Sequence, residues 1–89
     1  MKHFNITISG KVQGVFYRQS TSEKAKLLNL NGFVCNQPDG SVYAEAEGEE
    51  SRLQELIEWC RNGPPRARVV NVAYEESELK NYSGFDIRR

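Results

Sequence analysis

From Phe4 onward the chain alternates, with Phe4, Ile6 and Ile8 on one side and Asn5, Thr7 and Ser9 on the other. A period of two over residues 3–9 predicts a half-buried β-strand. Gly10 and Gly14, two glycines within five positions, interrupt the pattern and mark a loop. Beyond it Tyr17, Thr21, Ala25 and Leu28 fall on one face at helical spacing and predict a helix running to about Leu30. The start of that helix reads in two ways. Ser20 with Glu23 has the form of a capping box, whereas the apolar stripe already begins at Tyr17. Asn31-Gly32 is the expected stop.

Residues 32–36 and 41–48 read as strands joined by Gln37-Pro38-Asp39-Gly40, in which proline presets φ and glycine accepts a left-handed conformation. In the second of these, Val42, Ala44 and Ala46 alternate with Tyr43, Glu45 and Glu47. Leu53, Leu56, Ile57 and Cys60 then return at helical spacing, and Gly63-Pro64-Pro65 ends the helix sharply. Residues 69–74 and 85–87 supply two further strands. The order is β-α-β-β-α-β with a short extra strand at the C-terminus. It predicts an α+β, ferredoxin-like sandwich in which two helices cover one face of an antiparallel sheet.

A length of 89 residues is expected to make a single domain spanning residues 1–89. Twelve basic and twelve acidic residues cancel, which argues against holding nucleic acid or an anionic membrane by bulk charge. The sequence has no apolar run of the ~18 residues that a membrane helix needs, and its N-terminus lacks the features of a signal peptide. One histidine, His3, and two isolated cysteines, Cys35 and Cys60, leave no set of metal ligands at the usual spacings. A cytoplasmic monomer without metal or cofactor is the expectation.

Candidate chemistry concentrates in Gly10-Lys11-Val12-Gln13-Gly14-Val15-Phe16-Tyr17-Arg18, between the first strand and the first helix. A glycine-bearing loop at a helix N-terminus offers free N–H groups and the positive end of the helix dipole, a ready anion site. Arg18 is unusual there. A cation in the first turn opposes the dipole, by about 0.3–1 kcal/mol when exposed. Helical side chains lean back toward the N-terminus, so Arg18 would aim at the loop mouth, where a bound anion offsets the repulsion. The plainer alternative is a tight strand–helix turn with a solvated arginine. The loop is neither a Walker motif nor a dinucleotide fingerprint.

Residues 10–18 resemble the first signature of the acylphosphatase family. Gly32-Phe33-Val34-Cys35-Asn36, with Asp39-Gly40, Val42 and Gly48, is similar to its second. Arg66-Ala67-Arg68-Val69 after Gly63-Pro64-Pro65, and Gly84-Phe85-Asp86-Ile87-Arg88, extend the likeness over essentially the whole chain. The resemblance implies hydrolysis of the carboxyl–phosphate bond of small-molecule acyl phosphates. On it, Arg18 would bind the phosphoryl group, Asn36 would orient the attacking water, and the backbone of Gln13, Gly14, Val15, Phe16, Tyr17 and Arg18 would cradle phosphate, or sulfate in its place. The chemistry agrees: a carboxylate leaving group has a conjugate acid of pKa about 4–5 and needs no general acid.

The remaining polar residues have plainer readings. His3 is expected on the strand surface, and Glu45, Glu47, Glu49 and Glu50 as a solvated acidic rim. Cys60 should be core and Cys35 should face the other way, although a Cys35–Cys60 disulfide stays open if the second helix lies over that strand. Trp59 is expected to pack at the edge of its helix. Arg61, Arg66 and Arg68 read as a helix C-terminal complement followed by a solvated loop, or as an added attraction for anions. Two rival functions remain at this point: an RNA-binding β-α-β-β-α-β module, which lacks the expected aromatic motif, and an anion sensor without turnover.

Overall fold

The computed structural model describes residues 1–88. The strands are β1 (Lys2–Lys11), β2 (Asn31–Asn36), β3 (Val42–Gly48), β4 (Arg68–Ser77) and β5 (Phe85–Arg88); the helices are α1 (Tyr17–Leu27) and α2 (Glu50–Asn62). The strands lie in the order β4-β1-β3-β2-β5. The first four pair antiparallel, giving the expected ferredoxin-like arrangement, whereas β5 adds to β2 in parallel. Both helices pack on the sheet face that carries Phe4, Ile6, Ile8, Val34, Val42, Ala44 and Ala46. Across the layer, α1 contributes Tyr17 and Ala25, and α2 contributes Leu53, Leu56, Ile57 and Cys60.

Helix α1 begins at Tyr17, where the apolar stripe begins, and Ser20 and Glu23 lie inside it. Its end differs from expectation. Asn29 adopts a left-handed φ of 57°, and the Asn29 and Leu30 N–H groups donate to the Lys26 and Ala25 carbonyls at 3.1 and 2.9 Å. This is a Schellman stop, with buried Leu30 as its hydrophobic anchor. Asn31 and Gly32 instead open β2. Asparagine tolerates the left-handed region well enough to replace glycine as the terminator.

The open face of the sheet also departs from the simple alternation. His3 is fully buried and Glu47 is 2% exposed, so neither belongs to a solvated surface. Segment 78–84 crosses back over them on its way to β5, and Glu47 accepts the main-chain N–H groups of Lys80, Asn81 (3.2 Å) and Tyr82 (2.8 Å). Glu45 is half-buried in the same cluster, leaving only Glu49 and Glu50 of the expected rim exposed. A strand's own pattern cannot reveal that a distant loop covers its outward face.

Cys35 and Cys60 are both free thiols. Cys60 belongs to the helix-side core, as expected. Cys35 follows Val34, which is in that core, so its side chain falls on the opposite face of the sheet. Trp59 packs partly buried against the core, its ring 5.6 Å from that of Tyr17.

Candidate active site

Four buried or glycine positions shape the loop after β1. Val12, Val15 and Tyr17 are at most 5% exposed and pin the chain to the core. Gly14 between them takes φ 73°. Phe16 follows at φ 64° with its ring 71% exposed. A left-handed backbone is a real cost for a bulky residue, of order 1–2 kcal/mol. Alternating hands of backbone turn successive N–H groups toward one point, which makes an anion-binding concavity. Among the described residues, no N–H from Gln13 to Arg18 takes part in a loop or cap hydrogen bond, and no side chain caps α1. The loop therefore presents free donors at the positive end of the helix.

Of residues 13–18, Gly14, Phe16, Tyr17 and Arg18 border a cavity of about 210 Å³ that is also lined by Val12, Gln19, Asn36 and Ile87, whereas Gln13 and Val15 do not line it. Arg18 and Asn36, separated by 18 positions in the chain, thus meet on one cavity with the cradle backbone. Asn36 ends β2 on the same side of the strand as core residue Val34. Arg18 is half-buried as a residue, and its Nη1 donates to the Arg88 carbonyl at 3.3 Å in an exposed bond. Gly14 and Val15 belong to the cradle but also line a second cavity; only Gly14 is common to both.

Gln13 has a role that its place in the sequence did not reveal. Its side-chain amide Nε2 donates to the Gln37 carbonyl at 2.8 Å and the Ser41 carbonyl at 2.9 Å. Gln37 and Ser41 close the β2–β3 turn through a main-chain bond of 2.9 Å. Asp39 accepts the Ser41 N–H and hydroxyl at 2.9 and 2.6 Å, bonds from Ser41 that outweigh burial and hold its carboxyl below the usual range. One side chain therefore fastens the cradle to the turn that carries Asn36. Nothing in a linear motif distinguishes such a strut from a solvated glutamine.

The other strut comes from β5. Ile87 lines the cavity and the Arg88 main chain holds Arg18, so β5 must be delivered in register. The Glu47 cluster performs that delivery. His3 Nδ1 lies 2.9 Å from Glu47 and His3 Nε2 lies 2.9 Å from Glu45, each ring nitrogen facing a carboxylate oxygen. Tyr43 and Tyr82 donate their hydroxyls to Glu45 at 2.7 and 3.1 Å. Burial would raise both carboxyls. For Glu47 the Lys80, Tyr82 and Asn81 N–H groups with His3 reverse the sign, and for Glu45 the two tyrosines with His3 do so. The Arg88 guanidinium in turn sits 3.8 Å over the Phe33 ring.

The remaining candidate groups are structural. Tyr17 donates its hydroxyl to the Cys60 carbonyl at 2.6 Å, and burial pushes the Cys60 thiol up to about 12, unsuited to act as a nucleophile at neutral pH. Arg61 pairs with Glu58 at 3.5 Å and does not share the second cavity, which Arg66 and Arg68 line. Among the described residues no group of three His, Cys, Asp or Glu side chains is placed to hold a metal ion. No helix among them is long and apolar enough to cross a membrane.

Compared with known proteins, residues 4–87 match the family model described as acylphosphatase. A curated acylphosphatase of Rubrobacter xylanophilus is 47% identical over 98% of this chain and 80% of its own length. A solved acylphosphatase from Coxiella burnetii superposes with a TM-score of 0.95 at 45% identity, covering 98% of this chain and 92% of its own. The crystal structure of the Bacillus subtilis acylphosphatase covers both chains fully, with a TM-score of 0.97 at 36% identity. With the site geometry and the match over nearly its full length, this chain belongs to the acylphosphatase family.

Proposed function

We propose that the loop–helix mouth hydrolyses the carboxyl–phosphate bond of acyl phosphates by direct attack of water, with no metal or cofactor. The chain is a hydrolase of the acylphosphatase family; what is proposed is how its own residues do the chemistry. The carrying observation is that Arg18 and Asn36 border one cavity with Gly14, Phe16 and Tyr17, whose main-chain N–H groups take part in no loop or cap hydrogen bond. Phosphoryl transfer is chiefly positioning and charge stabilisation. Backbone donors and the guanidinium neutralise the equatorial oxygens, and the planar fork of Arg18 suits them. The Asn36 amide can accept a hydrogen bond from water and donate one back, which orients the nucleophile.

Water oxygen forms the new P–O bond while the bond from phosphorus to the carboxylate oxygen breaks. The carboxylate leaves with the bonding pair, and the water proton passes to a phosphoryl oxygen. A leaving group whose conjugate acid has a pKa about 4–5 requires no protonation, so a site with no acid or base side chain is chemically sufficient. Inorganic phosphate or sulfate should occupy the same cradle. Balanced charge, 12 basic against 12 acidic residues, weighs against a site that works by bulk electrostatic attraction to nucleic acid or an anionic membrane. It leaves small acyl phosphates met by a cytoplasmic monomer as the reading. Family membership and the missing aromatic motif weigh against an RNA-binding module.

The test is benzoyl phosphate hydrolysis in the presence of a chelator, with phosphate binding measured in parallel. Arg18→Ala and Asn36→Ala should each lower kcat about 10²–10³-fold, as removal of one positioned polar group does. Wild-type turnover in both variants would refute the assignment. Phosphate binding without any turnover would favour the anion sensor.

A further inference from the structure

On the far side of the cradle loop lies a second cavity of about 610 Å³, bordered by Gly14 and Val15 and walled by Lys11, Arg66 and Arg68. All three cations are exposed, and among the described residues none has a carboxylate partner. Lys11 and Arg68 are direct partners in the β1–β4 register. Like charges placed opposite each other on paired strands destabilise the sheet. Arg66 and Arg68 flank Ala67, which packs against the core and donates its N–H to the Pro64 carbonyl at 3.0 Å.

The juxtaposition is built in. Gly10 takes φ 125° at an irregularity in the β1–β4 pairing, and a Cβ there would meet the Arg68 carbonyl oxygen at 2.2 Å. The main chain of Arg68 is thus seated directly on Gly10, near the end of β1 and three residues before the cradle. Between the two cavities stands Gly14, which has no side chain and open space where a Cβ would point. A molecule whose phosphate is held at the mouth can extend past it toward the three cations.

We propose that Lys11, Arg66 and Arg68 form a second anion subsite, which receives a negatively charged group on the acyl part of the substrate. The inference rests on the cradle assignment above. It adds a preference for acyl phosphates that carry a second anionic group. A carboxylate or a further phosphate would relieve the Lys11–Arg68 repulsion, which has no internal partner to relieve it.

Binding of 4-carboxybenzylphosphonate and 4-methylbenzylphosphonate by calorimetry separates the two sites without turnover. The wild type should bind the carboxylated compound roughly three- to tenfold more tightly, as one or two partly exposed ion pairs allow. The triple variant Lys11→Gln/Arg66→Gln/Arg68→Gln should lose that preference while keeping its affinity for the methyl compound within about twofold. Its thermal midpoint should be no lower than that of the wild type, since the repulsion is gone. Equal affinities in the wild type, or a preference that survives the triple variant, would overturn the subsite. A uniform loss for both compounds would also overturn it, leaving only long-range attraction. Failure of the wild type to bind either compound would refute the cradle, and the subsite with it.

Discussion

The Arg18 guanidinium donates to the main-chain carbonyl of Arg88 at 3.3 Å, so the cation on α1 proposed to bind phosphate takes its position from the backbone of an edge strand. Arg88→Ala keeps that carbonyl and removes only the guanidinium over Phe33, worth about 0.5–1 kcal/mol at an exposed site. Its stability should fall by about that amount, with kcat within about threefold of wild type. Arg18→Lys keeps the charge but loses the fork, and should still cost at least about 10²-fold in kcat. Steady-state hydrolysis and urea unfolding of both variants check the pair; full activity in Arg18→Lys would show that a point charge is enough.

Gln13→Ala should reveal the strut. It strips two carbonyls, Gln37 and Ser41, of a donor at once and should cost about 1–3 kcal/mol in urea unfolding. Because the same turn carries Asn36, kcat should drop more than KM rises. A variant with lowered stability and unchanged kcat would confine Gln13 to folding.

Stability should decline in acid through Glu45 and Glu47. Their folded-state carboxyls lie below the ordinary value of 4.5. Their contribution is therefore complete above about pH 5 and is lost as pH falls through the lowered folded-state values. Glu47→Gln should flatten that acid limb in thermal melts recorded from pH 7 to pH 3. It should also loosen segment 80–82, read as faster amide exchange at Lys80 and Tyr82. An acid limb as steep as that of the wild type would place the linkage elsewhere.

The rate of hydrolysis should respond little to pH between about 5 and 7.5, because the proposed reaction uses no titrating side chain in that interval. A bell centred near a histidine value would contradict the water-attack mechanism.

Gly10→Ala should be among the most damaging small substitutions in the chain. The added methyl group would meet the Arg68 carbonyl at 2.2 Å, in a backbone conformation of φ 125° that alanine avoids. A loss of about 3 kcal/mol or more follows from combined strain and clash, measurable by denaturant unfolding. A near-neutral result would mean that the β1–β4 irregularity can relax.

Much of this was legible along the chain. Period-two alternation located β1 and β3 and helical spacing located both helices, because burial on one face imposes those periods directly. The other three strands read only as short apolar segments between turn signals. The glycine loop with Arg18 was legible as a candidate anion site from backbone donors and dipole, beside the plainer reading of a tight turn with a solvated arginine. Asn36 was not: an asparagine beside a turn has ordinary reasons to be there, and only its likeness to a family signature singled it out. His3 and Glu47 were misplaced on the surface because the segment that buries them follows more than thirty positions after Glu47.

By itself, then, the sequence determined the order of elements, the core face of the first and third strands and of both helices, and the local makeup of the candidate cradle, all of which depend on neighbours within a few residues. The tertiary structure decided which distant groups complete the site. It decided that Gln13 ties the cradle to the Asn36 turn and that β5 lies parallel beside β2 to hold Arg18. It also set Arg68 against Gly10 beside the loop. All of these contacts run through remote main chain, and a carbonyl looks the same at every position of a sequence until the fold aims it.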